Sequence, residues 1–316
     1  MTSGPALDST RLERVRLADG RWLAFERAGS ADPAAGVCFY FHGFPGSRLE
    51  VRLAGAVARE AGLQLIGVDR PGFGCSDPRR GRTLLDWPAD LTQLADGIGV
   101  GRFAVLGVSG GGPYAVACAY RLAGRVTVAG IVNGLGPAGA PGGWRVMSGI
   151  NRLGFAVALG APFLLPAIAA GLRSVAARRP EWLVARLRSA ASGADRVALD
   201  NQEFSRNLGD SFREAVWGGS EGLVSDARVY ASSWAAWMGE ITTPVLLWHG
   251  EEDRVVPPEM GRLLAGSIPG CRAVFLLGEG HFSVLLNQLR PILSAIGEAH
   301  QISLDQPARN PSRSRS

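Results

Sequence analysis

The chain contains no lysine; all 33 of its basic residues are arginine. That absence excludes a lysine Schiff base, and with it covalently held pyridoxal phosphate, and it excludes the lysine-containing phosphate loop. Cysteine is scarce. Cys38, Cys75, Cys118 and Cys271 form no C-x-x-C pair and no zinc spacing with histidine, so neither a disulfide framework nor a zinc motif is implied. Cys38, Cys118 and Cys271 lie in apolar runs and read as small core residues, whereas Cys75 lies in a polar loop open to exposure. Residues 1–19 lack the apolar core of a signal peptide. Together these features lead to the expectation of a cytoplasmic protein. The net charge is +5, but the arginines form no stripe with interleaved aromatics, so no nucleic-acid partner is expected.

What is present fits one large α/β domain with an insertion, or two small domains: 316 residues, 47% of them hydrophobic. Residues 11–17 and 21–27 alternate apolar and polar positions around Asp19-Gly20, a hairpin pattern. Buried-type strands at 37–41, 63–68, 103–108 and 126–132 then alternate with helical stretches at 49–61, 83–98 and 113–123. The rhythm stops at Asn133 and resumes with strands at 244–249 and 273–277 and helices near 259–267 and 284–299. This alternation predicts a doubly wound, mostly parallel sheet. The expected organisation is a disordered leader (1–10), a core from 11–133 and 241–300, a helical cap (134–240) and a disordered basic tail (301–316). Within the cap, Leu153–Leu172 holds 20 residues without a charge, between Arg152 and Arg173. Its length suits a membrane span. Topology argues against one, because the strands before and after must share a sheet. Two readings remain: a buried pair of short helices, and an apolar lid capable of peripheral membrane contact.

The chemistry centres on Gly107-Val108-Ser109-Gly110-Gly111, which reads G-x-S-x-G between a strand and a helix. A serine on such a turn is pushed clear of the sheet, and glycines two residues to either side avoid a Cβ clash. A serine nucleophile needs a base and the base an orienting carboxylate. Only His42, His249, His281 and His300 are available. His281, flexibly carried in Gly278-Glu279-Gly280-His281, is the candidate base. His42 reads as a loop-orienting residue, His249 as structural and His300 as solvated. Asp253 is the candidate acid, ahead of Glu251, Glu252 and Asp226, and Asp69 reads as a loop-fixing residue.

The order Ser109, Asp253, His281 resembles that of the serine branch of the α/β-hydrolase fold family, the esterase- and lipase-like members with a helical cap. Four motifs carry the resemblance: His42-Gly43-Phe44-Pro45-Gly46-Ser47, Asp69-Arg70-Pro71-Gly72-Phe73-Gly74-Cys75-Ser76-Asp77, Gly107–Gly111, and the paired Asp253 and His281 loops. It spans roughly residues 11–300. The resemblance implies an eight-stranded sheet, a cap in the insertion and an oxyanion hole from the backbone N–H groups of Phe44 and Gly110. It also implies an acyl-enzyme mechanism that needs neither metal nor redox cofactor. An apolar, tryptophan-rich cap leads to the expectation of a lipophilic small-molecule ester as substrate. Lactone, carbon–carbon or amide hydrolysis, and non-hydrolytic biosynthetic chemistry, are the alternatives on the same triad. A ligand-binding receptor without turnover is the alternative of another class.

Overall fold

A computed structural model describes residues 12–138, 143–147 and 149–305. Most of the expected leader and tail therefore lies outside the described residues. The chain opens with a hairpin, β1 (Glu13–Arg16) and β2 (Trp22–Gly29), whose turn places Gly20 at φ +90°. The expected alternation follows: β3 (Gly36–Phe41), α1 (Val51–Glu60), β4 (Leu63–Val68), α2 (Trp87–Gly97), β5 (Phe103–Val108), α3 (Gly112–Arg121) and β6 (Val126–Val132). Six helices come next: α4 (Gly149–Gly160), α5 (Leu165–Arg178), α6 (Pro180–Ala190), α7 (Gly193–Asp200), α8 (Gln202–Ala215) and α9 (Glu221–Ala231). The core resumes with β7 (Val245–Gly250), α10 (Pro258–Ser267), β8 (Arg272–Leu276), α11 (Ser283–Asn287) and α12 (Leu289–Asp305).

The strands form one eight-stranded sheet in the order β1-β2-β4-β3-β5-β6-β7-β8. β2 pairs antiparallel with both of its neighbours, β1 and β4, and the remaining five pairings are parallel. Both central strands, β5 and β6, are buried along their whole length, as strands covered on two faces must be. Leu91 and Leu94 of α2, Tyr114 of α3 and Leu264 of α10 fill one face. Val51 and Ala54 of α1 and Ile292 and Ile296 of α12 fill the other. His42, Asp69, Ser109 and Asn133 each directly follow a parallel strand, so all four stand along the carboxyl edge, where ligands of doubly wound sheets bind.

The insertion has its own small core, with Ala169, Ala176, Leu199, Phe204, Phe212 and Val216 among its buried residues. Its last part packs on the main core instead, through Val229, Tyr230, Trp234 and Met238. The uncharged segment 153–172 is not a buried helix pair. Helices Gly149–Gly160 and Pro162–Arg178 meet at 111°, and the pair exposes Ile150 (82%) and Leu153 (62%) in the first helix and Phe163 (77%) at the corner. No single helix among the described residues is long and apolar enough to cross a membrane.

Four further expectations change. The single helix at 284–299 is two, because Pro291 has no N–H to donate to Asn287 and so breaks the ladder between α11 and α12. Residues 301–305, expected in the disordered tail, continue α12; Arg102 donates to the Ser303 carbonyl (2.8 Å) at that helix end. His300 is consequently buried rather than solvated, with Nδ1 2.6 Å from Thr127 Oγ1. Cys271 is only partly buried, unlike Cys38 and Cys118.

Candidate active site

Ser109 has φ 53°, a left-handed conformation unfavourable for a residue with a side chain. Its neighbours show why glycine flanks it. A Cβ on Gly107 would stand 2.3 Å from the Gly111 carbonyl oxygen, and one on Gly111 would stand 2.0 Å from that of Phe41. The turn is thus packed against β3 so tightly that only hydrogen fits at either position.

Two backbone N–H groups beside Ser109 are held by the oxygens of their own peptides. In a trans peptide the N–H points opposite to the carbonyl, so fixing one aims the other. The Gly43 carbonyl accepts from Arg70 Nη2 (3.0 Å) and from His42 Nδ1 (2.8 Å), which aims the Phe44 N–H away from both. The Ser109 carbonyl accepts from Leu135 N (3.0 Å), which does the same for the Gly110 N–H. Both loops meet closely: a Cβ on Gly110 would lie 2.8 Å from Phe44 Cβ and 2.6 Å from Tyr230 Oη. Tyr230 in turn donates to the Gly110 carbonyl at 2.9 Å. His42 therefore orients a loop. Its Nδ1 donates to Gly43, its Nε2 accepts from Arg70 N (3.3 Å), and burial followed by the Arg70 charge holds its pKa well below the usual histidine value.

His281 Nδ1 lies 2.7 Å from Asp253 Oδ2. The other Asp253 oxygen accepts from Val255 N and Val256 N, both at 2.8 Å, so the carboxylate is fixed by its own loop. Burial pushes the His281 pKa down, but the Asp253 charge and hydrogen bond outweigh it; Asp195 and Glu50 add to the rise, and the net direction is upward. His249 reaches 3.5 Å from the same Asp253 oxygen, yet burial lowers its pKa, and its Nε2 is 2.9 Å from the Val256 carbonyl. Two of the other candidate acids are engaged elsewhere. Glu251 pairs with Arg262 (2.7 Å), and Asp226 is locked between Arg70 and Arg82. Asp69 fixes its loop, accepting from Arg48 N (2.7 Å) and Cys75 N (3.0 Å).

Two residues that sequence reasoning missed hold the His281 loop. Asp195 of α7 accepts from the backbone N–H groups of His281 (2.9 Å), Phe282 (2.7 Å) and Ser283 (3.0 Å). Asn133, itself at φ 48°, donates to the His281 carbonyl (2.8 Å) and accepts from Gly250 N (2.9 Å). The Gly280 backbone lies so near Asp195 that a Cβ there would meet its carboxyl at 2.4 Å.

Ser109, His281, Gly43 and Phe44 line one cavity of about 470 Å³. Its walls are Leu53, Val57, Leu187, Phe204, Phe212, Leu285 and similar side chains from α1, the insertion and α11–α12. The tryptophans of the insertion do not line it. Trp182 (50%) and Trp217 (61%) face outward, while Trp234 and Trp237 pack with Tyr120 on the core. The cavity is apolar because of leucine and phenylalanine.

A sheet of this order, a serine on a strained strand-to-helix turn and an Asp–His pair at the same edge define an α/β enzyme built for hydrolysis. The chain belongs to the alpha/beta hydrolase fold family, whose model matches residues 39–288. No curated protein matches it in sequence. Among solved structures it is similar to a hydrolase from Pseudomonas aeruginosa PA01 (19% identity, TM-score 0.67, covering 93% of this chain and 98% of that one). It is similar to the enol-lactonase from Burkholderia xenovorans LB400 (20%, TM-score 0.66, 93% and 100%). It also resembles a thermophilic esterase from Thermogutta terrifontis (19%, TM-score 0.65, 93% and 99%). At these identities the likeness is one of fold.

Proposed function

We propose that the protein is a serine hydrolase that cleaves carboxylic esters of lipophilic small molecules through an acyl-enzyme. The observation that carries this reading is the 2.7 Å His281–Asp253 pair opening on the same cavity as the strained Ser109. Ser109 Oγ attacks the ester carbonyl carbon and gives its proton to His281 Nε2. The carbonyl oxygen gains the displaced electron pair and is held by the Phe44 and Gly110 N–H groups, each worth roughly 3 kcal/mol in comparable sites. His281 then passes the proton to the departing alkoxide, and the alcohol leaves. Water, deprotonated by His281, attacks the acyl-enzyme and returns Ser109. Asp253 stabilises the imidazolium in both halves without taking its proton.

The cavity walls favour an apolar substrate of modest size. An esterase and an enol-lactonase are among the proteins that share this fold, and both activities suit the same nucleophile. The test is fluorophosphonate labelling of the folded protein with p-nitrophenyl esters of rising chain length. A Ser109 adduct that disappears in Ser109→Ala, with kcat/KM rising from acetate to hexanoate, is expected. Absence of labelling defeats the serine mechanism, and a preference for acetate defeats the lipophilic pocket.

A further inference from the structure

Glu50 lies at the start of α1 and lines the cavity beside Ser109. A carboxyl group in such a place is costly, because burial disfavours its charge; its pKa is pushed up accordingly. Three groups satisfy it in part. Gly43 N bridges both oxygens (3.1 and 3.3 Å), Tyr40 Oη donates to Oε2 (3.0 Å), and Ser211 Oγ donates to Oε1 (3.3 Å). A carboxylate offers about four lone-pair positions, so these donors leave acceptor capacity. The residue is half-buried and is part of the cavity lining.

Gly43 makes that capacity usable. From the point where a Cβ would stand on Gly43, Glu50 Oε1 is 3.7 Å away and Ser109 Cβ is 3.8 Å away. Glycine therefore leaves a methyl-sized space flanked by the nucleophilic residue on one side and a carboxyl oxygen on the other. Beyond it the walls turn apolar, with Leu53, Ala54 and Val57 of α1 and Ile292 of α12.

We propose that Glu50 and the space at Gly43 form a hydrogen-bond-accepting subsite that selects esters carrying a hydroxyl or amino donor close to the scissile bond. The donor stands on the 2- or 3-position of the acyl chain, or on the first carbons of the alcohol, because the space adjoins Ser109. A plain alkyl chain lodged there covers a carboxyl oxygen without replacing its contact with water. Sites built to accept a substrate donor reject the analogue lacking it for this reason. The subsite rests on the ester-hydrolase reading above.

The experiment compares kcat/KM of the full chain in two arms. One arm sets p-nitrophenyl 2- and 3-hydroxyhexanoate against the hexanoate. The other sets 2-hydroxyethyl hexanoate against propyl hexanoate, followed by acid release. In at least one arm the donor-bearing ester is expected to be preferred by about tenfold or more. The preference should fall to about one in Glu50→Leu and survive in part in Glu50→Gln, whose carbonyl still accepts. Methoxy analogues, which keep the oxygen but cannot donate, should lose the preference in the wild-type protein, a result that stands even where Glu50→Leu does not fold. A ratio near one in both arms, a methoxy ester as good as the hydroxy ester, or a preference that persists in Glu50→Leu overturns the proposal. Fluorophosphonate labelling separates the two failures. A labelled, ester-cleaving enzyme with ratios near one removes only the subsite, whereas an unlabelled, inactive one removes the serine mechanism and the subsite with it.

Discussion

Asp226 receives more hydrogen bonds than any other buried acid near the sheet edge. Arg70 reaches it at 2.8 and 3.0 Å, Tyr114 at 2.6 Å and Tyr230 at 2.8 Å, and Arg82 also donates to it. Burial alone would push its pKa up, but the two arginines outweigh that and hold it at about 2. Since that value lies below the ordinary aspartate value of about 3.9, the carboxylate contributes stability fully above pH 4 and loses it as pH falls through about 2. Replacing Asp226 by Asn leaves two buried guanidinium groups short of charge. We expect Asp226→Asn to cost about 3–5 kcal/mol at pH 7, read from the urea midpoint, with the difference from wild type shrinking below pH 4. Equal midpoints at pH 7 would count against this role. Asp226 was weighed from the sequence as an alternative acid for the base. Its engagement is invisible there because both arginines lie over 140 residues away in the chain.

The loop that carries His281 shows how an element can depend on a group outside it. Its glycines make it free to bend, as its sequence suggests, but its position comes from Asp195 on α7 and Asn133 after β6. Neither has a local signature. Asp195 sits in the first turn of α7, where acids are common for reasons of the helix dipole, and Asn133 reads as an ordinary strand end. The serine turn lies at the other extreme. It is legible because the clashes that demand glycine arise within and beside one pentapeptide. The Asp195 charge also helps raise the His281 pKa, and a protonated His281 cannot act as base. The acid limb of kcat/KM should therefore have its midpoint above the ordinary histidine value of about 6.5. In Asp195→Asn that midpoint should move down, with kcat falling more than KM changes, since the loop loses a charged acceptor. An unshifted limb would assign Asp195 to stability alone. His300 teaches the complementary lesson: the polar residues after it predict a frayed end, yet α12 continues because its inner face packs on the sheet.

Across the whole molecule, the insertion and the sheet are joined by more than the chain. Glu214 of α8 pairs with Arg48, Ser211 binds Ser47 N at 2.9 Å, Asp226 and Tyr230 hold Arg70, and Asp195 holds the His281 loop. Buried polar contacts at four places make it costly for either part to open alone. Urea unfolding should accordingly give one transition, coincident by far-UV circular dichroism and by tryptophan fluorescence, which reports both Trp87 in the core and Trp182 in the insertion. A separate early fluorescence change would show that the insertion unfolds first. The sheet order carries a last consequence. β6 and β7 are parallel neighbours, with Ala129 opposite Val245 and Val132 opposite Trp248, so the chain leaves at the carboxyl edge and re-enters at the amino edge only one strand over, and the helices between can be grafted like a cassette. The place to cut is not the edge of β7. A graft that replaced residues 134–240 would strand Arg70 and Arg82 without Asp226. One ending before Glu221 would keep their partner, and would need to bring back an acceptor for the His281 loop, a carboxylate for Arg48 and a hydroxyl for Ser47 N. Substrate range could then be transplanted between enzymes of this architecture while α9 stays behind with the sheet.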